Sequence, residues 1–600
     1  MDRNQATGLI LFAAVILIYS IFFASGPEID PSEETIAVEN TVTPNQGSIE
    51  EFPPIQKEET DSLSEDKINR YGVLATLTLG KEEIVTLEND VIKVDVSTKG
   101  GTIKNVELKE YKTWEGKPLL LLDEESSSMS QMLETTKGPV LLEDFYFFPE
   151  LTSETSEDGK QIQVLTLQTG TESGTLLHRF ELVEGSYQVK KSFEINDYQG
   201  VFTQNHLSIS WNDVARAHEQ DLAESRRKTE VNYYTAEGSY ENLGVGDSPE
   251  AESPTEAVKW IGFSQRFFTA GIIADQNFSN INVAQSTPTD SAFVRQMEAS
   301  FYVPMTEGKA DYTFYFGPDR YKVLKQVTEG FEKNVDMGYF FVSWVNKYII
   351  VNLFAFLEKY FSNYGVIIIL IVLIIKLALS PLTYKSYIGM AKMRVIKPEI
   401  DELKEKYGED PTKMQQEQMK LFSQLGVSPV AGCLPLLFQM PFLFAMFFFF
   451  PNSIELRQES FLWANDLSTY DEFIKLPFTI PFYGSHVSLF TLLMTISQIV
   501  YTHFNNQLTT ATGPMKNLGY IMPVMFMFIL NSYPAGLSFY YFVSNMVTFG
   551  QQALIKLFVD DEKIRQKVEA NKVKNANKKK SKFQQRLEDA MKAADANRKK

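Results

Sequence analysis

The residue that combines chemistry with an unusual position is Lys376, the one charged side chain in the apolar stretch 364–383. At 1.5 Å per helical residue it lies about 16 Å from Gly365, close to the middle of a ~30 Å hydrocarbon core. A charge there costs about 2.5 to 3.5 kcal/mol on insertion scales, so it normally faces protein or water and serves a function. The alternative is snorkelling, in which the aliphatic stem carries the ammonium to the interface. Because the cytosolic flank at Lys385 is about 13 Å further along the helix, the stem covers only part of that distance, which favours a functional lysine.

The sequence lacks several motifs that mark particular classes of enzyme. The five histidines show neither HxxxH nor HExxH spacing, and there is no glycine-rich phosphate loop and no GxSxG elbow. Cys433 is the single cysteine, so an intramolecular disulfide or a thiolate metal site cannot form. We therefore predict a protein that is not an enzyme, with no catalytic residue, no cofactor and no metal ion.

Polar side chains recur at helical spacing around this lysine. In the same stretch, Ser380 and Thr383 follow Lys376 at i+4 and i+7. Two later apolar segments carry similar rows, namely Thr491, Thr495, Gln498 and Thr502 in one, and Ser538, Tyr541, Asn545, Thr548 and Gln552 in the other. One polar face per helix predicts a shared, water-filled cavity. For any single row, ordinary hydrogen bonding between packed spans remains an alternative.

A further apolar segment contributes Gln439 and is interrupted by Pro435 and Pro441. Each proline frees a backbone carbonyl that water or a neighbouring helix must satisfy. Together with the midplane lysine, these features favour a hydrated groove within the membrane.

Six apolar segments predict six membrane spans. They are an N-terminal anchor at 1–26, followed by 364–383, 429–451, 486–503, 517–532 and 534–556. The Lys and Arg bias of the loops predicts that both termini and the loop 504–516 are cytosolic, and that the loop 452–485 is periplasmic. The first segment can also be interpreted as a signal peptide, with small residues at Ala24 to Gly26 for cleavage, but its apolar run is long for that role.

The remaining extracytoplasmic sequence predicts a linker, a β-domain and an interfacial helix. Residues 27–70 are acidic and rich in Pro, Ser and Thr, which is typical of a flexible linker. Short alternating runs in 71–335 predict an antiparallel β-sandwich that ends in a helix. The segment 336–363 is amphipathic, and we place it in the membrane interface, because an extra crossing would move the basic loop and tail outside.

Two cytosolic segments are charged. Residues 384–428 predict a helical hairpin, whose methionines are either core filler or a surface for apolar clients. Residues 557–600 form a basic tail. Such a tail is either simply solvated or binds anionic lipid or ribosomal RNA through counterion release.

Several stretches resemble the YidC/Oxa/Alb family of membrane protein insertases, and specifically its bacterial members with a large periplasmic domain. The stretches are SPLTYKSYIGMAKMRVIKPEI, GVSPVAGCLPLLFQMPFLFAMFFFF, SIELRQESFLWANDLS, IMPVMFMFILNSYPAGLSFYYFVSNMVTFGQQALI, STKGGTIKNVELKEY and WIGFSQRFFTA. The resemblance covers nearly the whole chain. It implies a β-supersandwich in the periplasm, an interfacial helix, and a groove of five helices that is open to the cytosol and the lipid. It also implies a bacterial inner-membrane location.

The resemblance also implies roles for individual residues. Lys376 matches a position where the family usually has arginine, so the charge is kept while bidentate pairing with carboxylates is lost. Tyr541 matches a groove-lining tyrosine. The residues that match the family's client-contacting helices are Gln439, Met440, Pro441, Met522, Pro523 and Phe528.

The function we predict is the insertion and folding of inner-membrane proteins, alone or beside the Sec translocon. The expected partners are nascent membrane proteins, the Sec translocon, the ribosome through the tail and the hairpin, and the lipid bilayer. The main alternative is a solute transporter that uses the intramembrane lysine, although no inverted repeat supports it. A carbohydrate-binding ectodomain on an anchor leaves the polar rows unexplained.

Overall fold

The computed structural model describes residues 64–246, 248–408, 410–428, 434–508 and 514–576. All of them belong to one compact unit, Asp61–Lys600. The predicted anchor (1–26), nearly all of the predicted linker (27–70), Cys433 and the end of the basic tail lie outside the described residues.

The β-domain extends from the first strand at Ile84 to the eighteenth at Pro318. Its strands are β1 Ile84–Glu88, β2 Ile92–Ser97, β3 Thr102–Lys112, β4 Pro118–Leu122, β5 Ser127–Thr135, β6 Gly138–Leu141, β7 Phe148–Thr155, β8 Gln161–Thr171, β9 Gly174–Val183, β10 Gln188–Asn196, β11 His206–Arg216, β12 Glu230–Thr235, β13 Tyr240–Asn242, β14 Glu250–Glu252, β15 Val258–Ser264, β16 Phe268–Ser286, β17 Phe293–Pro304 and β18 Lys309–Pro318. A later hairpin contains β19 Ile474–Ile480 and β20 Gly484–Val487.

Two large antiparallel layers share the long strand β16. Its first half, from Phe268 to Ala274, pairs with β15 and β18, and its second half, from Ser279 to Ser286, pairs with β14 and β17. One layer continues through β11, β5 and β6, and the other through β10, β9, β8 and β7. A separate sheet has the order β1-β2-β3-β4.

The alternation in the sequence explains the layers. Buried and partly exposed residues alternate without interruption along β9 and β11, because successive side chains point to opposite faces of a sheet. The inward aromatic rings meet between the layers, where Trp211 of β11 and Phe263 of β15 lie 4.2 Å apart between ring centroids. The predicted antiparallel β-sandwich fold is confirmed.

The rest of the described chain is mainly helical. The helices are α1 Glu65–Tyr71, α2 Leu222–Arg227, α3 Tyr321–Leu324, α4 Phe340–Val345, α5 Val351–Glu358, α6 Tyr364–Ala378, α7 Ser380–Val395, α8 Lys397–Tyr407, α9 Pro411–Leu425, α10 Leu434–Asn452, α11 Leu489–Leu508, α12 Pro514–Leu530, α13 Ala535–Phe558 and α14 Asp561–Ala576. A π-helical turn, Asn346–Ile350, joins α4 to α5, and 3-10 turns lie at Gly72–Thr78, Leu142–Asp144, Phe331–Asn334 and Ile454–Leu456.

The segment 364–383 is not one straight helix. The axes of α6 and α7 differ by 62° across the break at Leu379. Pro381 lies in the first turn of α7 and has no N–H to continue the hydrogen bonds of α6, so it favours a new helix start. The prediction that Ser380 and Thr383 continue the helical row of Lys376 is therefore wrong, because both lie on α7.

The segment 486–503 also differs at its start. His486 belongs to β20, and α11 begins only at Leu489. Asp471 fixes this start, because its carboxylate accepts hydrogen bonds from the Leu489 N–H (2.8 Å) and the Phe490 N–H (3.1 Å). Both donors are unpaired N–H groups of the first helical turn.

Length and hydropathy single out few of the described helices as membrane spans. Phe340–Glu358 meets both criteria alone, and the bent pair α6 and α7 meets them together, while Leu437–Asn452 and Gly519–Leu530 are shorter apolar helices. The helices α11 and α13 fall outside the criterion because they carry the polar rows. The six-span topology therefore stays a prediction.

The hairpin of α8 and α9 packs with α14. Ile564 and Val568 of α14 are buried in an apolar cluster with Phe422 and Leu425 of α9. An ion pair between Arg394 of α7 and Asp561 closes one edge of the cluster. Thus the first part of the predicted basic tail is a docked helix.

Candidate functional site

Lys376 lies at the contact between α6 and α13. Its side chain is only 6% exposed, and its ammonium donates a hydrogen bond to Thr548 Oγ1 at 2.8 Å. Gln551, one turn further along α13, donates from Nε2 to the Lys376 carbonyl at 2.9 Å. The two bonds fix both the charge and the backbone of α6 against α13.

The charge of Lys376 has a neutral acceptor and no carboxylate partner among the described residues. None of the ion pairs formed in the described ranges includes it. An ammonium held in this way keeps most of its electrostatic attraction for an incoming anion, and in a low-dielectric site that attraction is larger than in water. Among the described residues, the charge of Lys376 is thus balanced by a hydroxyl alone.

A second pair of helices continues the polar cluster. Gln439 of α10 donates to Ser544 Oγ at a long 3.5 Å, and Thr548 Oγ1 donates to the Ser544 carbonyl at 2.7 Å. Tyr541, one turn earlier on α13, has its hydroxyl 3.5 Å from the Leu443 carbonyl. The cluster thus joins α6, α10 and α13.

Asn545 connects this cluster to α11. Its Nδ2 donates to Ser497 Oγ at 2.9 Å, and Ser497 in turn donates to the Met494 carbonyl at 2.7 Å. Gln498, which follows on α11, is half-buried. Four helices therefore contribute polar side chains to one region of the molecule.

Thr491 and Thr495 occupy a different position from the one predicted. Both are buried, and Thr491 Oγ1 lies 2.9 Å from Ser538 Oγ and 3.1 Å from the Leu530 carbonyl. Thr495 donates to the Thr491 carbonyl at 2.8 Å. These contacts correspond to the alternative of hydrogen bonding between packed helices, since the hydroxyls are already satisfied by protein.

Next to Thr491, a buried network of hydrogen bonds joins the start of α11 to the end of α12. Asn531 donates to the carbonyls of Tyr483 (2.9 Å) and His486 (2.8 Å), and its Oδ1 accepts from the Ser488 N–H at 2.9 Å. Ser488 also bonds to Asp471. Such a satisfied network leaves little room for water on this side of the polar cluster.

The residues matched to client-contacting helices differ in accessibility. Phe528 is exposed, and Met440, Pro441 and Met522 are half-buried. Pro523 is buried, so its contact with a client would need a change in packing, and the prediction that it touches clients directly has no free surface to support it. Around them, α10 and α12 present apolar side chains that are exposed, namely Leu437, Phe438, Ile521, Val524, Met525 and Phe526.

Sequence reasoning missed three members of the cluster, Ser497, Ser544 and Gln551. Ser544 and Gln551 are seven residues apart on α13 and therefore share a face, a spacing that the sequence already contains. Ser497 precedes the predicted Gln498 by one residue, so the predicted row on α11 lies about 100° around the helix from the face that carries Ser497.

The described residues contain no group of three or more His, Cys, Asp and Glu side chains arranged to hold a metal ion. The chemistry of the polar cluster is that of hydroxyls, amides and one ammonium, which bind by hydrogen bonds and charge.

Two family profiles and several known proteins are similar to this chain over nearly its whole length. Residues 84–351 match the family profile described as the YidC periplasmic domain, and residues 356–592 match the one described as a 60Kd inner membrane protein. The chain is 42% identical to the membrane protein insertase YidC of Amoebophilus asiaticus, with 99% of each chain covered. It is 40% identical to the protein of the same name from Cytophaga hutchinsonii, with 99% of this chain and 98% of that one covered.

Among solved structures, an active YidC insertase with its first transmembrane domain resolved is 17% identical, with a TM-score of 0.33 over 80% of this chain and 96% of that one. The sequence relatives and the two family profiles show that the chain belongs to the family of YidC membrane protein insertases.

Proposed function

We propose that this protein inserts client proteins into the inner membrane through the polar cluster around Lys376. The observation that carries the proposal is a buried ammonium that is held by a hydroxyl and has no carboxylate partner among the described residues. A client's hydrophilic segment enters the cluster and crosses a shortened apolar distance. Acidic client residues are attracted by Lys376.

The client's transmembrane segment then leaves along α10 and α12 into lipid. The exposed apolar side chains of these helices, together with Met440 and Met522, support this route. Burial of the client's own apolar surface in the bilayer drives the step, so no covalent catalysis is needed.

A photo-crosslinker placed at position 439 or 522 tests the route. Both positions should crosslink to nascent membrane proteins in cells, and a crosslinker at the exposed Phe356 of α5 serves as the control. Crosslinks from 356 that equal those from 439 and 522 would contradict a specific client path.

We also propose the topology that the loops predict. The hairpin of α8 and α9 is cytosolic, the β-domain is periplasmic, and the helix α4 to α5 lies in the interface with its exposed aromatic face, Phe340, Phe341, Trp344, Tyr348 and Phe356, toward lipid. A cysteine introduced at position 392 should be labelled from the cytosolic side. Labelling from the periplasm alone would overturn the arrangement.

We also propose two further partners, the ribosome and the Sec translocon. The Lys-rich segment after α14 and the charged hairpin suit contact with ribosomal RNA, and insertion beside the Sec translocon fits the same client path. Ribosome co-sedimentation at low salt should fall when residues 577–600 are removed, and binding should weaken steeply as salt rises. Unchanged co-sedimentation would exclude the tail from this role.

A further inference from the structure

A cavity of about 180 Å³ lies where the β-domain meets the helices. One wall comes from the segment after β18, with Arg320 and Tyr321, and the opposite wall comes from α5 and the end of α10. The volume is several times the ~30 Å³ share of one liquid water molecule, so the cavity holds more than a single water.

The guanidinium of Arg320 is the half-buried cationic group of this cavity, while the second cation in its lining, Lys322, is exposed. The Nε of Arg320 is buried and has no hydrogen-bond partner in the described structure. Guanidinium groups present a planar fork of donors that matches phosphate oxygens, and leaving such a donor unpaired is unfavourable. The cavity is the space into which an acceptor for it would fit.

Four carboxylates line the same cavity, and two of them have other partners: Asp319 accepts a hydrogen bond from Thr269 Oγ1 at 2.7 Å, and Asp336 lies 3.4 Å from Lys228 Nζ. The other two are Glu358 and Glu455. Glu358 accepts a hydrogen bond from the Tyr364 hydroxyl at 2.8 Å, and Glu455 accepts one from Ser453 Oγ at 2.8 Å. Both act electrostatically on Arg320, yet neither carboxylate lies within 4.0 Å of its nitrogens. The cavity thus separates a cation from two anions that do not pair directly.

The cavity also has an apolar side. Val351 and Phe354 of α5 and Phe449 of α10 complete its lining. The α4 and α5 helix that carries two of these residues exposes aromatic side chains, including Trp344 and Phe356, on its outer face. Aromatic residues of this kind favour the headgroup region of a bilayer.

We propose that this cavity binds the zwitterionic headgroup of an aminophospholipid, with the phosphate on Arg320 and the ammonium between Glu358 and Glu455. The negative phosphate of the ligand thus meets the cation of the cavity, and its positive ammonium meets the two glutamates. Its glycerol and first acyl carbons contact Val351, Phe354 and Phe449. The proposal rests on the interfacial placement of α5 given under the proposed function.

The test is lipid retention by the full-length protein. The protein is released in native mass spectrometry from nanodiscs that contain equal amounts of phosphatidylethanolamine, phosphatidylcholine and phosphatidylglycerol. Wild type should retain phosphatidylethanolamine preferentially, because only its ammonium has N–H donors for the carboxylates. Arg320→Gln should lower retention about tenfold, the effect of losing one charge-assisted hydrogen bond. Lys325→Gln is the control, since Lys325 is exposed outside the cavity.

Glu358→Gln provides an independent reading if Arg320→Gln fails to fold. It should abolish the preference for phosphatidylethanolamine over phosphatidylcholine while total retention stays. Equal retention of the three lipids by wild type, or retention unchanged in both cavity variants, would overturn the proposal. Calorimetry with water-soluble O-phosphoethanolamine separates the sources, because binding as tight as that of the lipid would assign the site to a soluble ligand.

Retention is measured without a client. A protein that retains phosphatidylethanolamine but inserts nothing therefore contradicts the proposed insertase route alone, whereas normal insertion without lipid selectivity contradicts the headgroup site alone.

Discussion

The ammonium of Lys376 donates to the hydroxyl of Thr548 at 2.8 Å, across 172 positions of sequence. The hydroxyl orients the charge without neutralising it. This relationship joins α6 to α13, and because Lys376 is only 6% exposed, the contact must open before an acidic client segment can reach the charge in the proposed route.

Thr548→Val keeps the side-chain shape but removes the acceptor of Lys376. We expect a destabilisation of about 1.5 to 3 kcal/mol, the cost of leaving a hydrogen bond to a charged group unmade. Thermal unfolding of the purified protein in detergent measures it. Thr548→Ser keeps the hydroxyl and serves as the control, so equal losses in both variants would show that packing, not the hydrogen bond, is responsible.

The helix α14 is expected to detach when its apolar contacts are replaced by charge. Ile564→Asp and Val568→Asp place a carboxylate inside the cluster with Phe422 and Leu425, where an unpaired charge is strongly unfavourable. Hydrogen exchange of residues 561–576 should then become fast. Gln566→Asp adds the same charge on the exposed face of α14, and exchange as fast in this control would contradict the docked helix.

The β-domain and the loop after α10 are joined by a buried ion pair. Arg457 Nε lies 2.7 Å from Glu219 Oε1, and its Nη2 donates to the Lys112 carbonyl at 2.6 Å. Glu219→Ala should cost about 3 to 5 kcal/mol, because it leaves the Arg457 charge buried and unpaired. Limited proteolysis of full-length protein around residue 457 should accelerate. Lys117→Ala, which breaks an exposed ion pair with Glu115, is the control that should leave the proteolysis rate unchanged.

Asp213 should make the β-domain less stable as pH rises. Burial raises the pKa of its carboxyl to about 7, while the hydrogen bond from Ser127 lowers it and Asp123 raises it further. The folded state therefore holds a proton that the unfolded state releases near pH 4, and stability falls as pH increases through this window.

Asp213→Asn removes this titration. The stability of wild type relative to the variant should decrease between about pH 4 and pH 7, as measured by thermal unfolding of both full-length proteins. A difference that stays constant across this range would show that Asp213 is already ionised in the folded protein.

The sequence predicted the β-sandwich and singled out Lys376 as a charge within an apolar segment, because alternation along strands and a charge inside an apolar run are local signals. It did not predict the bend at Leu379. The sequence stays apolar on both sides of Pro381, so hydropathy gives no sign of a break there. The break arises because Pro381 has no N–H to continue the backbone hydrogen bonds of α6.

Long-range contacts were harder to predict. Thr491 belongs to a polar row, and only the positions of Ser538 and the Leu530 carbonyl show that its hydroxyl is satisfied by protein. In α14, Ile564 and Val568 are four residues apart, but their lysine-rich surroundings indicated a solvated tail. The partner surface on α9 comes from a segment more than a hundred residues earlier.

In the proposed function, the charge of Lys376 draws acidic client segments into the polar cluster, and client insertion by charge variants measures this attraction. The native protein is depleted, each variant is expressed at normal level, and protease protection is measured for clients that differ only in the charge of the translocated tail. At an effective dielectric near 20, an ion pair at 4 Å contributes about 4 kcal/mol, so removal of the charge should measurably reduce the protease-protected fraction of acidic clients.

Lys376→Arg should insert all clients, Lys376→Ala should impair clients with acidic tails, and Lys376→Glu should impair them further, while clients with uncharged tails change little. Equal insertion of the acidic clients by the Lys, Ala and Glu forms would contradict this role and leave Lys376 as a buried residue that only joins α6 to α13.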